Sequence, residues 1–262
     1  MLLVLLLGVA IIFALHTLVR IWMHYLRLRT VHRLRRQTLA EHSRFLRRLD
    51  HELKNPLTTL RAGLKALALT GLDPQQAGMV ETMEADTVRL SRLVADLRKL
   101  ADMEAQPLNN HPFDLHAFLQ HVMQVQQERF AEGRRQLQAD SQAAAQDDWV
   151  GDEDLLALAL HNLLDNAFKH TGPGDAVRLT LAVDHDLVIT VADTGSGIPA
   201  EHLPHIWEEL YRVEQTQKIP GSGIGLALVK AIVERHNGDV SVESAPGQGT
   251  TVTLRLPPLP RD

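Results

Sequence analysis

The 262-residue chain contains no cysteine, and only 4% of its residues are aromatic. Without thiols there is no disulfide scaffold, zinc ribbon, iron–sulfur centre or cysteine nucleophile. An excess of basic charge is also missing: 27 Lys and Arg against 32 Asp and Glu leave a net charge of -5. Duplex binding draws on clustered cations that displace counterions, so no direct nucleic-acid partner is expected. The hydrophobic share of 45% excludes disorder of the whole chain, and the length suits about two domains.

Long hydrophobic runs are scarce, with one exception. Leu2 to Val19 reads LLVLLLGVAIIFALHTLV, without a formal charge. At ~1.5 Å per residue, a helix of this length crosses the hydrocarbon core of a bilayer. Nothing basic precedes the run and no small-x-small cleavage site ends it, which disfavours a signal peptide. Nine arginines follow, at 20, 27, 29, 33, 35, 36, 44, 47 and 48, against only Glu41 and Asp50 up to residue 50. With Trp22 and Tyr25 at interfacial depth, they place the C-terminal side in the cytoplasm. The expectation is a single-pass protein of the inner membrane, with 1–27 as membrane helix and flank and 28–44 as a basic linker helix. It leaves no room for an extracytoplasmic domain before the run.

Residues 45–106 read as a helical hairpin. Leu46, Leu49, Leu53, Leu57, Leu60, Leu64 and Leu67 step by three or four, as do Val80, Met83, Thr87, Leu90, Val94 and Leu97. Between them Thr70-Gly71-Leu72-Asp73-Pro74 supplies turn chemistry, and Pro74 suits a first helical turn. Two arms bury such seams poorly, so pairing into a four-helix bundle predicts a homodimer. A linker at 107–112 then leads to an α+β region, 113–262. Helices are expected at Leu115–Ala131, Asp154–Lys169 and Gly225–His236, and strands at Val177–Val183, Leu187–Ala192, Val240–Ser244 and Thr250–Leu256. They suggest a sheet covered on one face by helices. Gln138 to Gln146 reads as a surface loop.

Several segments carry chemistry. His51 lies two residues from Leu49 and Leu53, which turns it away from the apolar seam toward solvent, with Asn55 one turn on and Pro56 removing an amide. In Asn162-Leu163-Leu164-Asp165-Asn166-Ala167-Phe168-Lys169-His170-Thr171, the residues Asn162, Asn166, Lys169 and His170 share one helix face. Amide oxygens there suit a hard cation such as Mg²⁺ beside phosphates. Asp193 follows the strand Leu187–Ala192 and precedes Gly195-Ser196-Gly197-Ile198-Pro199, where a carboxylate can accept from an exocyclic amine. Gly221-Ser222-Gly223-Ile224-Gly225-Leu226 opens a helix whose free amides suit phosphate oxygens. This loop follows no strand and lacks Gly-Lys-Ser/Thr, so neither the dinucleotide fingerprint nor the P-loop fits. Gly247-Gln248-Gly249-Thr250 precedes the last strand.

In this order the segments resemble the bacterial sensor histidine kinases of two-component systems. FLRRLDHELKNPLTTL corresponds to the phospho-accepting box, NLLDNAFKHT to the N box, DTGSGIP and GSGIGLALVK to the two glycine boxes, and IWEELYRV to the F box. The resemblance implies a dimerisation and phosphotransfer hairpin followed by a Bergerat-type α/β sandwich that binds ATP with Mg²⁺. By it, His51 is the phosphoryl acceptor and Glu52 its general base, with Asn55 and Glu52 candidates for orienting a water on a phospho-aspartate. Asn166 with Asn162 matches the metal position, Lys169 and His170 lie near the phosphates, and Asp193 reads adenine. Gly195, Gly197, Ile198, Tyr211, Arg212, Gly221, Gly223, Ile224, Gly225, Leu226 and Thr250 complete the nucleotide site. The implied partner is a response regulator whose aspartate receives the phosphoryl group, with phosphatase activity toward that regulator as a second role.

Trp207 and Leu210 depart from the family's usual Phe, and Glu209 stands where a basic residue is frequent. This departure keeps a second reading open, an ATP-gated scaffold with little kinase activity. A gyrase-like ATPase sharing the fold is a third, but it would leave His51 and its hairpin unexplained.

Overall fold

The computed structural model describes residues 20, 43–141, 148–213, 219 and 221–258. The expected membrane segment at Leu2 to Val19 and most of the basic linker lie outside them. Among the described residues, no helix is long and apolar enough to cross a membrane.

The hairpin forms as expected. Its first arm, α1, is helical over 43–68 and continues through Pro56, whose missing N–H leaves the Glu52 carbonyl without its intrahelical donor. Gly71 takes φ +69 in the connection, a conformation that costs glycine least. The second arm, α2 (Pro74–Ala105), starts with a capping box: Asp73 accepts from the Gln76 N–H at 2.8 Å and the Gln76 side chain accepts from the Asp73 N–H at 3.2 Å. The seam is only partly covered within one chain. Leu46, Leu64, Val80 and Val94 are buried, but Leu60, Leu67, Met83 and Leu90 stay exposed, Leu90 at 51%.

Near the open end of the hairpin, charge locks the arms together. Asp102 accepts from Ser43 Oγ at 2.5 Å and from Arg47 at 2.8 Å, and Arg98 pairs with Asp50 at 2.6 Å. Asp50 precedes His51, so this network fixes the height of His51 against α2.

The second module begins earlier than the sequence suggested. β1 (His111–Asp114) pairs antiparallel with β3 (Asp148–Gly151), so residues 111 and 112 belong to a strand and not to the linker. Phe113 and Trp149 face each other in this pair and both are buried. Asp114 then caps α3 (Leu115–Glu132) by accepting from the Ala117 N–H. β2 (Gln136–Ser141) corrects the loop expected from Gln138: it is a polar edge strand, parallel to β4 (Ala176–Asp184). Its residues, QLQADS, offer only Leu137 and Ala139 as apolar positions, a weak alternation, and backbone pairing supplies most of the order.

Asp152 caps α4 (Glu153–His170), and the sheet runs β2-β4-β5-β7-β6, with β5 at Asp186–Asp193, β6 at Asp239–Ala245 and β7 at Gly249–Leu256. Val177, Leu179, Leu181, Leu187, Ile189, Val191, Val252, Leu254 and Leu256 alternate onto one face and are buried against α3, α4 and α5 (Gly225–Arg235). One-sided helix cover was expected from the order of strands and helices, and it holds.

His236, 2% exposed, ties α5 to α4. Its Nε2 accepts from the Asp152 N–H at 3.1 Å and its Nδ1–H donates to the Ile232 carbonyl at 2.8 Å. Only the neutral ring satisfies both bonds. Burial accordingly holds its pKa below the ordinary histidine value, and burial does the same at His161 and His170. The unfolded chain therefore binds more protons below about pH 6.5, so stability is full above that value and falls as pH drops toward the folded pKa values. Melting temperature should decline between pH 7.5 and 5.5, and His236→Gln should flatten part of that slope while lowering the pH 7.5 value. An unchanged slope would refute a contribution from His236.

Leu100 and Met103 of α2 join the apolar core of the second module, and polar contacts add to this. Arg235 at the end of α5 donates to the Met103 and Gln106 carbonyls, which satisfies open carbonyls at the end of α2. At the other end of α5, Ser222 Oγ donates to Asp96 Oδ2 at 2.7 Å.

Candidate nucleotide and phosphotransfer site

α4 presents the polar face that its spacing predicted. Asn162, Asn166, Lys169 and His170 are all half-buried, while Leu160, Leu163, Leu164 and Ala167 anchor the opposite side in the core. Asn162 donates Nδ2–H to the Leu158 carbonyl at 2.8 Å, which turns Oδ1 outward. That oxygen sits 3.0 Å from where a Cβ on Gly225 would lie, so the metal-matching helix and the second glycine loop meet. Lys169 reaches the same loop from the next turn, its Nζ 3.8 Å from a Cβ placed on Gly221. Burial, then the charges of Lys169 and Arg212, keep His170 neutral more readily than a free histidine.

Asp193 closes β5 beneath the first glycine loop. Its Oδ1 accepts from the Gly195 N–H at 2.8 Å and the Thr250 N–H at 3.3 Å, and Oδ2 takes no bond among the described residues. Burial lifts its pKa above the usual carboxylate range in spite of those two amides. The loop itself is tightly constrained. Gly197 has φ +67, and a Cβ there would overlap the Ala245 carbonyl. Gly197→Ala should therefore destabilise the module by about 3 kcal/mol or more. Urea unfolding checks this, and an unchanged midpoint would contradict the constraint.

A residue that pattern reading overlooked links this loop to the final strand. Ser244 Oγ accepts from the Ile198 N–H at 2.8 Å, donates to the Gly249 carbonyl at 2.8 Å and lies 3.0 Å from Thr250 Oγ1. No single-residue motif marks it, because its role depends on β6 pairing with β7.

The F-box departures are accommodated around Leu210. This residue has φ +64 and donates its N–H to the Gly223 carbonyl at 3.0 Å, while Gly223 has φ +79 with no room for a Cβ against the Leu210 backbone. Arg212 donates to the Gly221 carbonyl at 3.1 Å and to the Ile219 carbonyl at 2.5 Å, and burial lowers its pKa. Tyr211 OH lies 2.8 Å from His202 Nδ1. Ile224 is fully buried at the start of α5 and Leu226 packs against the core, so these two shape the loop from below.

A charged triad also escaped the sequence reading. Asp165 Oδ1 pairs with Arg129 of α3 at 2.8 Å, and Asp165 Oδ2 pairs with Lys169 at 2.5 Å. These two cations outweigh burial and hold the Asp165 carboxyl below its ordinary range. The i,i+4 spacing of Asp165 and Lys169 was a readable signal; the approach of Arg129 was not.

On the hairpin, His51, Glu52 and Asn55 are exposed, as their position off the seam required. Asp50 pairs with Arg98, and two residues earlier on α2 Asp96 holds Ser222. Two helical residues rise only ~3 Å, so the second glycine loop lies at the height of His51 along the hairpin. Among the described residues no group of three His, Asp or Glu could hold a metal. The amide oxygens of Asn162 and Asn166 nevertheless suit a hard cation delivered with a polyphosphate.

A hairpin carrying an exposed histidine, followed by a helix-backed sheet with two glycine loops, is the architecture of a histidine kinase. Residues 41–106 match the His Kinase A (phospho-acceptor) domain, and 151–260 match the histidine kinase-, DNA gyrase B- and HSP90-like ATPase family. The chain belongs to the two-component sensor histidine kinases. It is 31% identical over 230 residues to the sensor histidine kinase WalK of Bacillus subtilis, covering 83% of this chain and 37% of WalK. Against the sensor histidine kinase RppB of Synechocystis sp. identity is 33% over 230 residues, covering 84% of this chain and 50% of RppB. The chain thus spans a third to a half of the length of the curated relatives it matches. Among solved structures, full-length ShkA in complex with AMPPNP superposes with a TM-score of 0.62 at 26% identity, over 82% of this chain and 46% of ShkA.

Proposed function

We propose that the chain is a membrane-anchored, homodimeric kinase that phosphorylates His51 from Mg·ATP and passes the phosphoryl group to an aspartate of a response regulator. The observation that carries this reading is the shared height of His51 and the second glycine loop, set by the Asp50–Arg98 and Asp96–Ser222 contacts. A phosphate cradle at the same height as an exposed imidazole would supply the two reactants of one transfer.

His51 Nε2 attacks the γ-phosphorus, the bond from that phosphorus to the bridging oxygen breaks, and ADP leaves with the electron pair. Glu52 accepts the ring proton, which keeps a lone pair on Nε2. Asp193 Oδ2 accepts from the adenine amine, and the amides of 221–225 with Lys169 hold the phosphates. Mg²⁺ on the amide oxygens of Asn162 and Asn166 would neutralise phosphate charge. Glu52 and Asn55 are also placed to orient a water for regulator dephosphorylation. Exposed Leu60, Leu67, Met83 and Leu90 support pairing of two hairpins. The uncharged run at Leu2 to Val19, followed by arginines, supports a single inner-membrane anchor with a cytoplasmic catalytic part.

The test is incubation of the full chain with Mg²⁺ and γ-labelled ATP. An acid-labile, base-stable label mapped to His51 is the expected product, whereas ATP binding without any label would favour the scaffold reading.

A further inference from the structure

Resting on that kinase reading, we infer that Arg129 is a positioning residue for the nucleotide: by sharing the Asp165 carboxylate with Lys169 it leaves the group a net positive charge toward phosphate. Arg129 is far from the glycine loops in sequence and belongs to α3, which carries none of the motif residues. It reaches the site by sharing one anion with Lys169. Each oxygen of Asp165 serves one cation, Arg129 at 2.8 Å and Lys169 at 2.5 Å.

The arrangement is held from behind. The Arg129 guanidinium lies over the Phe168 ring at 4.2 Å and that of Arg135 lies 4.1 Å from the same ring. Arg135 is itself fastened to the carbonyls of Thr171 and Gly133, and Phe130 meets Phe168 edge-on at 5.2 Å. Phe168 is the residue between Ala167 of the core and Lys169, so this packing fixes the turn from which Lys169 extends.

Charge decides the function. The triad of Arg129, Asp165 and Lys169 sums to +1 beside the loop that would receive a polyanion. Removal of Arg129 leaves a neutral Asp165–Lys169 pair, and the ammonium then faces phosphate with its charge already compensated. Arg129→Ala should therefore weaken Mg·ATP binding by about tenfold, an effect that shrinks as salt rises. Removing the carboxylate as well restores the local sum, so Arg129→Ala with Asp165→Asn should recover most of the lost affinity. Arg129→Lys, which keeps the charge, should remain within about threefold of the parent chain.

The experiment is calorimetric titration of the full chain and these three variants with Mg·ATP, at low and high salt, alongside melting temperatures. His51 labelling at saturating ATP should stay near the parental rate in Arg129→Ala, which places the defect in KM and not in kcat. Parental affinity in Arg129→Ala would overturn the inference. So would a double variant as weak as the single one, because loss of Phe168 packing would then be the cause. Failure of the kinase reading is distinguishable: ATP would bind and respond to Arg129 as described while His51 took no label. A parent chain that bound no ATP would overturn both.

Discussion

Glutamine at position 51 is expected to abolish phosphoryl incorporation while leaving Mg·ATP affinity within about twofold of the parent chain. An amide nitrogen has its lone pair delocalised and cannot displace ADP as an imidazole nitrogen does. His51 is exposed on α1 and its side chain makes no hydrogen bond among the described residues, so the substitution should alter stability by less than about 0.5 kcal/mol. The proposed nucleotide residues sit on α4, β5 and the start of α5, in the other module, which is why binding should survive. Labelling tracked by autoradiography and affinity by calorimetry separate the two effects. Normal incorporation in His51→Gln would remove this residue from the mechanism.

The second large effect is expected at Asn166. Alanine there removes an amide oxygen from the half-buried face of α4, beside Asn162, whose own Oδ1 is turned outward by its bond to Leu158. Two neutral oxygen donors can complete the shell of Mg²⁺ without adding negative charge next to phosphates. With one gone, affinity for Mg·ATP should fall on the order of a hundredfold and His51 labelling should fall with it. Binding of ATP in EDTA should change much less, since no metal is then lost. Equal losses with and without Mg²⁺ would show that Asn166 acts on the fold of the site instead.

Most of the site was legible because motif residues occur within short segments whose secondary structure is strongly patterned. The Asn162, Asn166, Lys169 and His170 face follows from helical spacing, and the apolar alternation of β4, β5 and β7 places their loops at one end of the sheet. Asp193 was readable for the same reason, directly after an alternating strand that the structure extends to include it. β2 was not, since QLQADS offers only Leu137 and Ala139 as apolar positions and takes its order mainly from pairing with β4. The short pair of β1 and β3 was missed because strands of four residues hold too few side chains to show a period. In the hairpin, the seam predicted Leu46, Leu64, Val80 and Val94 as buried, while the exposure of Leu60 and Leu90 reflects a surface that one chain by itself does not cover.

By itself the sequence determined the order of the modules and the positions of the candidate acceptor histidine and the two glycine loops, because each depends on residues near one another along the chain. Tertiary structure alone decided the polar contacts between distant segments. Ser244 bridges Ile198 and Gly249 only once β6 lies against β7, and Arg129 reaches Asp165 only once α3 packs on α4. The Asp96–Ser222 contact, across 126 positions, sets the second glycine loop at the height of His51. Such pairings have no period and no local propensity; they exist because burial of the apolar faces brings their backbones together, and the side chains then find partners within hydrogen-bond reach.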